Sequence, residues 1–247
     1  MTVPSGYTGL AAGSRRAVVR DDLVSTLGPW LLGAPLAPPP TATPLPGGRG
    51  GTWRLVLDGG AAVIRFGRRG GVLGHVVHSW YVSLWPRPWR ELRVSVLARD
   101  RGAPIPEVLA VCVHGWGAYR SAIVTDEVPR VTTAIAALRG AAAGAPRLAI
   151  GRAAGIAVAR LHAAGVVHAD LNLTNLLVGD AGVVIVDLDR ARLCSRALGR
   201  RARARSLRRL ARSARKLDPG AELIDPLLCR TFHQAYAGRG PENPCEH

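Results

Sequence analysis

Apolar and polar positions follow two periodicities along this chain of 247 residues, and these periodicities predict its helices and strands. Residues 148–164 carry apolar side chains at helical spacing. Residues 86–100 show the same spacing, with Pro88 in the first turn, where proline is favoured. The apolar positions in these two stretches are Leu148, Ala154, Val158 and Leu161, and Trp89, Leu92, Val96 and Leu97. The pattern predicts two long helices that each bury one face.

Apolar runs with strand character occur in pairs joined by glycine-containing turns, which is typical of antiparallel hairpins. The three pairs are 53–57 with 61–66, 108–113 with 118–125, and 176–178 with 183–186. Their connecting residues are Gly-Gly, Gly-Trp-Gly and Gly-Asp-Ala-Gly, respectively. A shorter apolar strand is expected at 166–167, after a helix stop at Gly165.

The ends of the chain are less regular. Residues 22–32 predict one short helix, and residues 34–46 form a proline-rich connector that cannot be helical. Two further helices are expected at 132–138 and 225–238. We therefore divide the chain into an N-terminal extension and connector (1–46), a β-rich part (47–126) and a mainly helical part (127–247).

The residues that carry chemistry lie after the 148–164 helix. Asp170 is followed five positions later by Asn175, and Asp187 comes directly after the last predicted hairpin. Metal-assisted phosphoryl transfer needs a base for the hydroxyl proton, and an amide oxygen and a carboxylate that hold Mg²⁺ on the phosphates of ATP. Asp170 is therefore the predicted catalytic base, and Asn175 and Asp187 are the predicted Mg²⁺ ligands.

This loop-and-hairpin arrangement is that of kinase-like folds. The fold class is accordingly predicted as α+β, a two-lobed protein-kinase-like fold with a small β-rich N-lobe and a mainly helical C-lobe. His168 is interpreted as a hydrogen-bonding residue of the loop rather than as a base. Asp189 would be either a second metal ligand or an anchor for the segment that follows it.

A glycine cluster at 47–51 precedes the first predicted hairpin. The backbone N–H groups of such a loop can approach phosphates, so Gly48, Arg49 and Gly50 are predicted to cover the ATP phosphates. A simple glycine-rich linker is the alternative interpretation of this cluster.

Kinases place a cation on the third strand of the N-lobe, against the α- and β-phosphates. Lys216 is the only lysine, so Arg65 is predicted to take this place, because a guanidinium can bind two phosphate oxygens at once. Glu91 in the 86–100 helix is its predicted partner. Glu127 lies where a kinase chain crosses between lobes, and its backbone is predicted to meet adenine. An exposed strand arginine and a solvent-facing glutamate are the alternatives for Arg65 and Glu91.

The net charge of +16 indicates a polyanionic partner, either nucleotide phosphates, nucleic acid or an anionic membrane surface. Nearly half of the residues are apolar, which excludes wholesale disorder. No apolar run reaches the roughly 18 residues of a membrane span, and the N-terminus lacks the apolar core of a signal peptide. The four cysteines are scattered, as expected of reduced thiols in the cytosol. The predicted location is cytoplasmic.

The segment from Arg190 to Lys216 carries a long run of basic residues without one acidic residue. Leucines punctuate it at helical spacing. It would be either a helix with a solvated basic face or a surface that meets anionic lipid headgroups or a phosphorylated sugar. The second interpretation is favoured, because nothing within the segment neutralises its charge.

Several stretches resemble the lipopolysaccharide kinase family, and within it the 3-deoxy-D-manno-octulosonic acid (Kdo) kinases. The resemblance covers roughly residues 47–217, and the Arg-Arg-Gly-Gly and the Asp-x-Asp-Arg-x-Arg are its most specific parts. The matching stretches are Val63-Ile64-Arg65, Arg68-Arg69-Gly70-Gly71, Arg87-Pro88-Trp89-Arg90-Glu91-Leu92, Pro104-Ile105-Pro106, Thr125-Asp126-Glu127-Val128-Pro129, the loop at 168–175 and Val186-Asp187-Leu188-Asp189-Arg190-Ala191-Arg192.

The resemblance implies an ATP-dependent sugar kinase that phosphorylates a Kdo residue of a lipid A precursor in lipopolysaccharide core biosynthesis. It implies ATP and Mg²⁺ as cofactors and a peripheral position on the cytoplasmic face of the inner membrane, through the segment from Arg190 to Lys216. No nucleic acid is expected as a partner. A phosphotransferase for a soluble sugar or an aminoglycoside, and a non-catalytic kinase-like module that binds polyanions, are the alternatives.

Differences from protein kinases argue against a protein substrate. Asp187-Leu188-Asp189 stands in place of Asp-Phe-Gly, and Ala169 replaces the arginine that reads a phosphorylated activation loop. The basic segment begins almost at once, which leaves no room for a long peptide-docking segment. Leu188, where the family resemblance implies an aromatic residue, and the poorly matching residues 73–85 are differences from the Kdo kinase pattern.

Overall fold

The computed structural model describes residues 2–45, 51–67, 81–82, 87–115 and 118–238. Contacts within the chain divide it into two compact units. Unit 1 comprises Met1–Val96 and Glu107–Glu127, and unit 2 comprises Leu97–Pro106 and Val128–His247.

Unit 1 is built on an eight-stranded antiparallel sheet in the order β1-β2-β7-β8-β5-β4-β3, with β6 also paired to β8. Its elements are β1 (Tyr7–Ala12), β2 (Arg15–Arg20), a 3₁₀ turn (Asp21–Leu23), α1 (Val24–Leu32), β3 (Thr43–Pro44), β4 (Thr52–Leu57), β5 (Gly60–Phe66), β6 (Tyr81–Val82), most of α2 (Arg87–Asp100, assigned to unit 2 from Leu97 onward), β7 (Val108–His114) and β8 (Ala118–Asp126). The two predicted hairpins of this unit and its predicted helix at 86–100 are confirmed.

The two faces of this sheet are covered by different helices, because side chains alternate between faces along each strand. On one face, Leu27 and Leu31 of α1 pack with Val19, Ile64 and Cys112. On the other face, Leu92 of α2 packs with side chains of β2, β7 and β8. The buried position of Cys112 raises the pKa of its thiol to about 12, which makes it an inert core residue.

The first 45 residues differ from the predicted extension and connector. They contribute β1 and β2 to the sheet, with β2 paired to β7, and α1 to its core. The sequence does not predict β1, because this edge strand buries little of its surface and its apolar residues do not alternate with polar ones. The predicted helix at 22–32 is confirmed as the 3₁₀ turn and α1.

Unit 2 is mainly helical. Its elements are β9 (Thr132–Thr133), α3 (Ala134–Gly140), α4 (Ala145–Ala163), β10 (Val166–Val167), β11 (Leu176–Gly179), β12 (Gly182–Ile185), β13 (Arg192–Leu193), α5 (Arg200–Leu217) and α6 (Pro226–Ala237). The predicted helices 132–138, 148–164 and 225–238 correspond to α3, α4 and α6. The strands form two small sheets, β10-β13 and β12-β11-β9.

Close contact between α4 and α6 depends on glycine. A Cβ atom at Gly155 would lie 2.4 Å from the carbonyl oxygen of Phe232 and 3.1 Å from the Cβ of Ala235. At Gly151 it would lie 3.1 Å from the side chain of Leu228. The two helices therefore approach at distances that a larger residue at position 155 would not allow.

A buried histidine joins the three long helices of unit 2. His162 of α4 is 1% exposed, and its Nδ1 and Nε2 lie 2.8 Å from the hydroxyl of Tyr236 in α6 and 2.9 Å from that of Ser206 in α5. Burial, with the neighbouring Arg203 charge, lowers the pKa of His162 to about 4. The ring is therefore neutral at pH 7, as a buried imidazole with two hydroxyl partners should be.

Candidate active site

The catalytic loop, residues 168–175, connects β10 to β11. Gly165 has a φ of +82°, which lets the chain leave α4 and enter β10. β10 pairs with β13, and β11 pairs with β12 with Leu176 opposite Ile185. Both ends of the loop are therefore set by strand pairing. The buried side chains of Leu171 and Leu173 hold its middle.

Two asparagines fold this loop around Asp170. The side-chain amides of Asn175 and Asn172 both donate to the Asp170 carbonyl oxygen, at 2.8 and 3.2 Å. Asn172 Oδ1 in turn accepts from the backbone N–H of Thr174 at 2.9 Å and from that of Asn175 at 3.0 Å. The carboxylate of Asp170 lies on an exposed residue, where an acceptor hydroxyl can reach it.

His168 supports the loop through both ring nitrogens. The Asp170 backbone N–H donates to Nδ1 at 3.2 Å, so the proton is on Nε2, which donates to the Val186 carbonyl oxygen at 3.0 Å. Burial lowers the pKa of this histidine below its ordinary value. A neutral ring with both nitrogens engaged is a structural group, in agreement with the interpretation of His168 as a hydrogen-bonding residue.

The β11–β12 hairpin brings Asp187 to the catalytic loop. The N–H of Val186 donates to the Asn175 carbonyl oxygen at 3.0 Å, which places Asp187 one residue beyond that contact. Asp187 has a φ of +66°, an uncommon value for a residue other than glycine, so the chain turns sharply after the hairpin. Its carboxylate is exposed.

The donor set here fits Mg²⁺. The Nδ2 of Asn175 is used by the loop backbone, and Oδ1 remains as the amide oxygen that a cation can take. A carboxylate from Asp187 and an amide oxygen are hard donors of the type that Mg²⁺ prefers. Among the residues that the structure describes, no group of three or more His, Cys, Asp or Glu side chains could hold a metal ion. Any Mg²⁺ held here would thus rely on the mixed carboxylate and amide set, with phosphate oxygens and water.

Arg65 and Glu91 form an ion pair within unit 1. Ala62 and Ile64 of β5 pack with α1, so Arg65 extends from the opposite face of the sheet, the face covered by α2. The Glu91 residue is 7% exposed, whereas the Arg65 side chain is 32% exposed. Glu91 therefore holds the guanidinium from the inner side, and the arginine keeps an accessible surface for an anion.

Glu127 makes a second ion pair on the same face of the sheet. Arg54 Nε lies 2.9 and 2.7 Å from its two carboxylate oxygens. The Glu127 N–H donates to the Ala61 carbonyl oxygen at 2.8 Å, so this N–H is not available to an adenine ring. The predicted backbone contact would use the Glu127 carbonyl or the N–H of Val128. Sequence reasoning missed Arg54, because a strand arginine carries no distinguishing local signal.

Gly48, Arg49 and Gly50 lie outside the described residues, as do Arg68 and Arg69. The predicted phosphate-covering role of the 47–51 loop therefore stays a prediction.

The basic segment contains β13 and, from Arg200 onward, α5, whose arginines lie on two different sides of the helix. Five exposed arginines recur at intervals of three or four, which places them on one face as an arginine stripe. The arginine stripe consists of Arg201, Arg205, Arg208, Arg212 and Arg215. Arg203 and Arg209 instead point inward, since Arg203 Nε donates to the Leu198 carbonyl at 2.6 Å and Arg209 Nη1 donates to that of His168 at 3.3 Å. The segment is therefore not one uniform basic face.

None of the helices among the described residues is long and apolar enough to cross a membrane.

Comparison with known proteins identifies sequence relatives. A family model described as the lipopolysaccharide kinase (Kdo/WaaP) family matches residues 43–228. A protein named 3-deoxy-D-manno-octulosonic acid kinase from Xanthomonas campestris pv. campestris (strain B100) is 36% identical over 152 residues, 58% of each chain. Its namesake from Xylella fastidiosa (strain M12) is 34% identical over 152 residues, 60% of this chain and 59% of that one. The chain thus spans less than two thirds of the length of these relatives.

Two solved structures with a similar fold are the following. WaaP in complex with acyl carrier protein aligns with a TM-score of 0.52 and 20% identity, over 80% of this chain and 78% of that one. Glucosamine kinase in complex with glucosamine, ADP and inorganic phosphate aligns with a TM-score of 0.50 and 14% identity, over 97% and 80%. At such identities the likeness concerns the fold, and it confirms the predicted kinase-like α+β class.

The family model covers the catalytic loop, the Asp187 hairpin, the Arg65–Glu91 pair and α5. The chain therefore belongs to the lipopolysaccharide kinase (Kdo/WaaP) family.

Proposed function

We propose that this protein is an ATP-dependent kinase that phosphorylates a hydroxyl group of a Kdo residue on a lipid A precursor. The observation that carries the proposal is the loop in which Asp170 and Asn175 are held together and joined to Asp187, in a chain of this family. The names of the relatives supply the sugar.

Asp170 acts on the acceptor hydroxyl. Its exposed carboxylate orients the O–H and accepts the proton as the sugar oxygen forms a bond to the γ-phosphorus of ATP. The bond from that phosphorus to the bridging oxygen of ADP breaks at the same time. His168 and the two asparagines hold the backbone of Asp170 so that the carboxylate stays in line with the attack.

Two sets of residues are proposed to meet the charge on the phosphates. Asn175 and Asp187 would hold Mg²⁺, which neutralises phosphate charge and aligns the β- and γ-phosphoryl groups when bound. Arg65, oriented by Glu91, binds phosphate oxygens. That the 47–51 loop covers these phosphates is proposed from its sequence alone.

Turnover of ATP with a purified Kdo-bearing lipid A precursor tests the proposal. The parent protein is expected to consume ATP in a Mg²⁺-dependent way, and Asp170→Asn is expected to lower kcat by about 10²–10⁴-fold. Asp180→Asn, an exposed carboxylate in the hairpin turn, is the matched control and should retain the parent rate. Turnover only with a soluble sugar would replace the Kdo assignment with a small-molecule phosphotransferase. An active Asp170→Asn variant would contradict the mechanism.

We further propose that the arginine stripe of α5 binds the anionic cytoplasmic face of the inner membrane. The stripe runs along about four turns of a helix whose opposite side packs through Ser206 and Leu210. Each basic residue close to an anionic membrane surface contributes about 1 kcal/mol to binding.

Sedimentation with vesicles of phosphatidylglycerol and phosphatidylcholine tests this placement. A triple change of Arg205, Arg208 and Arg212 to Gln should weaken binding by about 10²-fold. A matched triple change of the exposed Arg139, Arg152 and Arg230 to Gln removes the same net charge and should weaken vesicle binding only a few-fold. Equal losses in the two triples would mean that net charge alone, not the stripe, attracts the protein.

A further inference from the structure

One side of α5 contacts the backbone of the catalytic loop at two points. Arg209 Nη1 donates to the carbonyl oxygen of His168 at 3.3 Å. The N–H of Leu173 donates to the hydroxyl of Ser213 at 3.2 Å. Arg209 and Ser213 are four positions apart in the helix, so they lie on one face, one above the other.

Asp170 lies between the two contacted residues. The bonds from Asn172 and Asn175 to its carbonyl oxygen are internal to the loop, so they fix the shape of the loop but not its position in unit 2. The two bonds from α5 join the loop to an element outside it. They also meet opposite chemical needs, because one satisfies a loop carbonyl and the other satisfies a loop N–H.

These two residues differ from their neighbours in α5. Arg208 and Arg212 are exposed members of the arginine stripe, whereas Arg209 and Ser213 are partly buried toward the loop. The Arg209 charge is also close enough to His168 to disfavour protonation of that ring.

We propose that Arg209 and Ser213 are positioning residues, which hold the catalytic loop at the place where Asp170 can take the proton of the acceptor hydroxyl. This inference rests on the proposed phosphoryl transfer. Misplacement of a reacting group by about 1 Å is enough to lower a rate by about 10²-fold, without loss of ground-state binding. The α5 helix thus serves the reaction with one side and presents the arginine stripe on another.

Kinetics of the full chain with ATP and the Kdo-bearing precursor test the inference. Arg209→Ala and Ser213→Ala should each lower kcat by about 10–100-fold, with the KM for ATP within about twofold of the parent value. Arg209→Lys, which keeps a cation and a donor, and Ser213→Thr, which keeps the hydroxyl, should recover most of the rate. The exposed Arg152→Ala and Ser195→Ala are controls and should keep the parent kcat.

Hydrogen exchange separates this inference from the proposed function. The backbone amides of residues 170–175 should exchange faster in Arg209→Ala and Ser213→Ala than in the parent, and not in the controls. If the parent does not turn over the precursor, the proposed function fails, and the exchange measurement alone then decides whether α5 holds the loop. An unchanged kcat, or unchanged exchange of these amides in both alanine variants, would overturn the positioning role. Ser213→Ala removes only one oxygen atom, so it serves if Arg209→Ala does not fold.

Discussion

Two histidines of unit 2 are buried in the neutral state, and each connects different structural elements through hydrogen bonds. His168 joins the catalytic loop to the end of the β11–β12 hairpin, and His162 joins α4 to α5 and α6. Both are 1% exposed, and burial lowers the pKa of each. Burial disfavours the protonated form of both rings, although the charges of Asp187 and Asp170 partly offset this effect at His168.

The stability of unit 2 is expected to fall as the pH falls from about 6.5 toward 4. The unfolded chain protonates His162 near pH 6.5, whereas the folded chain does so only near pH 4. The unfolded state therefore binds more protons in this range, and the free energy of unfolding decreases by up to about 3 kcal/mol from this residue. Urea unfolding at pH 7.5 and 4.5 measures the change, and His162→Gln should show a smaller pH dependence. An equal pH dependence in parent and variant would contradict the assignment.

Variants of the Arg65–Glu91 pair are expected to affect the stability of the protein and its ATP binding differently. Arg65→Met leaves a carboxylate that is nearly buried, so the free energy of unfolding should fall by about 1–3 kcal/mol. The double variant Arg65→Met with Glu91→Leu should recover most of this loss, because both charges are gone. Neither variant should bind ATP as the parent does, as measured by fluorescence titration. A double variant with parental ATP affinity would remove Arg65 from the nucleotide site.

At the scale of elements, α4 and α5 each perform two tasks. The α4 helix packs closely on α6 through its glycines and delivers the chain to the catalytic loop through Gly165. The α5 helix backs the catalytic loop through Arg209 and Ser213 and exposes the arginine stripe on another face. Contacts from α5 thus add to the strand pairing that sets both ends of the loop in unit 2.

Substitution of Gly155 should destabilise the α4–α6 contact. Gly155→Ala would place a methyl group 2.4 Å from a backbone oxygen, so the helices must separate, at a cost of about 1–3 kcal/mol. Gly140→Ala is the control, because a Cβ atom there meets nothing within 4 Å and Gly140 ends α3. The control should be neutral or stabilising by up to about 1 kcal/mol. Thermal unfolding of the two variants compares them, and equal midpoints would contradict the close contact.

At the scale of the whole molecule, the segment before the family match is part of the fold. The family model begins at residue 43, yet β2 pairs with β7, and Ala17, Val18 and Val19 are buried. Tyr7 donates from its hydroxyl to the Val108 carbonyl oxygen at 2.6 Å, and Arg20 forms an ion pair with Glu107 at 2.8 Å. The N-terminal segment therefore stabilises the sheet that carries Arg65.

Deletion of residues 2–21 should unfold unit 1 or lower its stability severely. Three buried side chains of β2 would be lost, at a total of about 5 kcal/mol, which is comparable to the stability of a whole domain. The β7 strand would also become an exposed edge that favours aggregation. Near-ultraviolet circular dichroism and ATP binding measure the result. An unchanged unfolding midpoint would show that β1 and β2 do not support the sheet.

Local pattern was enough to predict most elements of this chain and its kinase-like fold class. Helical spacing predicted α2 and α4, and turn glycines predicted the hairpins, because both signals are properties of neighbouring residues. The roles of Asp170, Asn175 and Asp187 were likewise predicted from residue types at short spacing, and these roles stay predictions.

Contacts between distant residues were decided only by the tertiary structure. The edge strand β1, the pair of Arg54 with Glu127, and the division of the α5 arginines into an exposed stripe and inward-pointing residues have no local signal. Nothing in the run of arginines itself distinguishes Arg209 from Arg208. Only packing against the catalytic loop does so, because one side of the helix faces a backbone carbonyl and the other faces water.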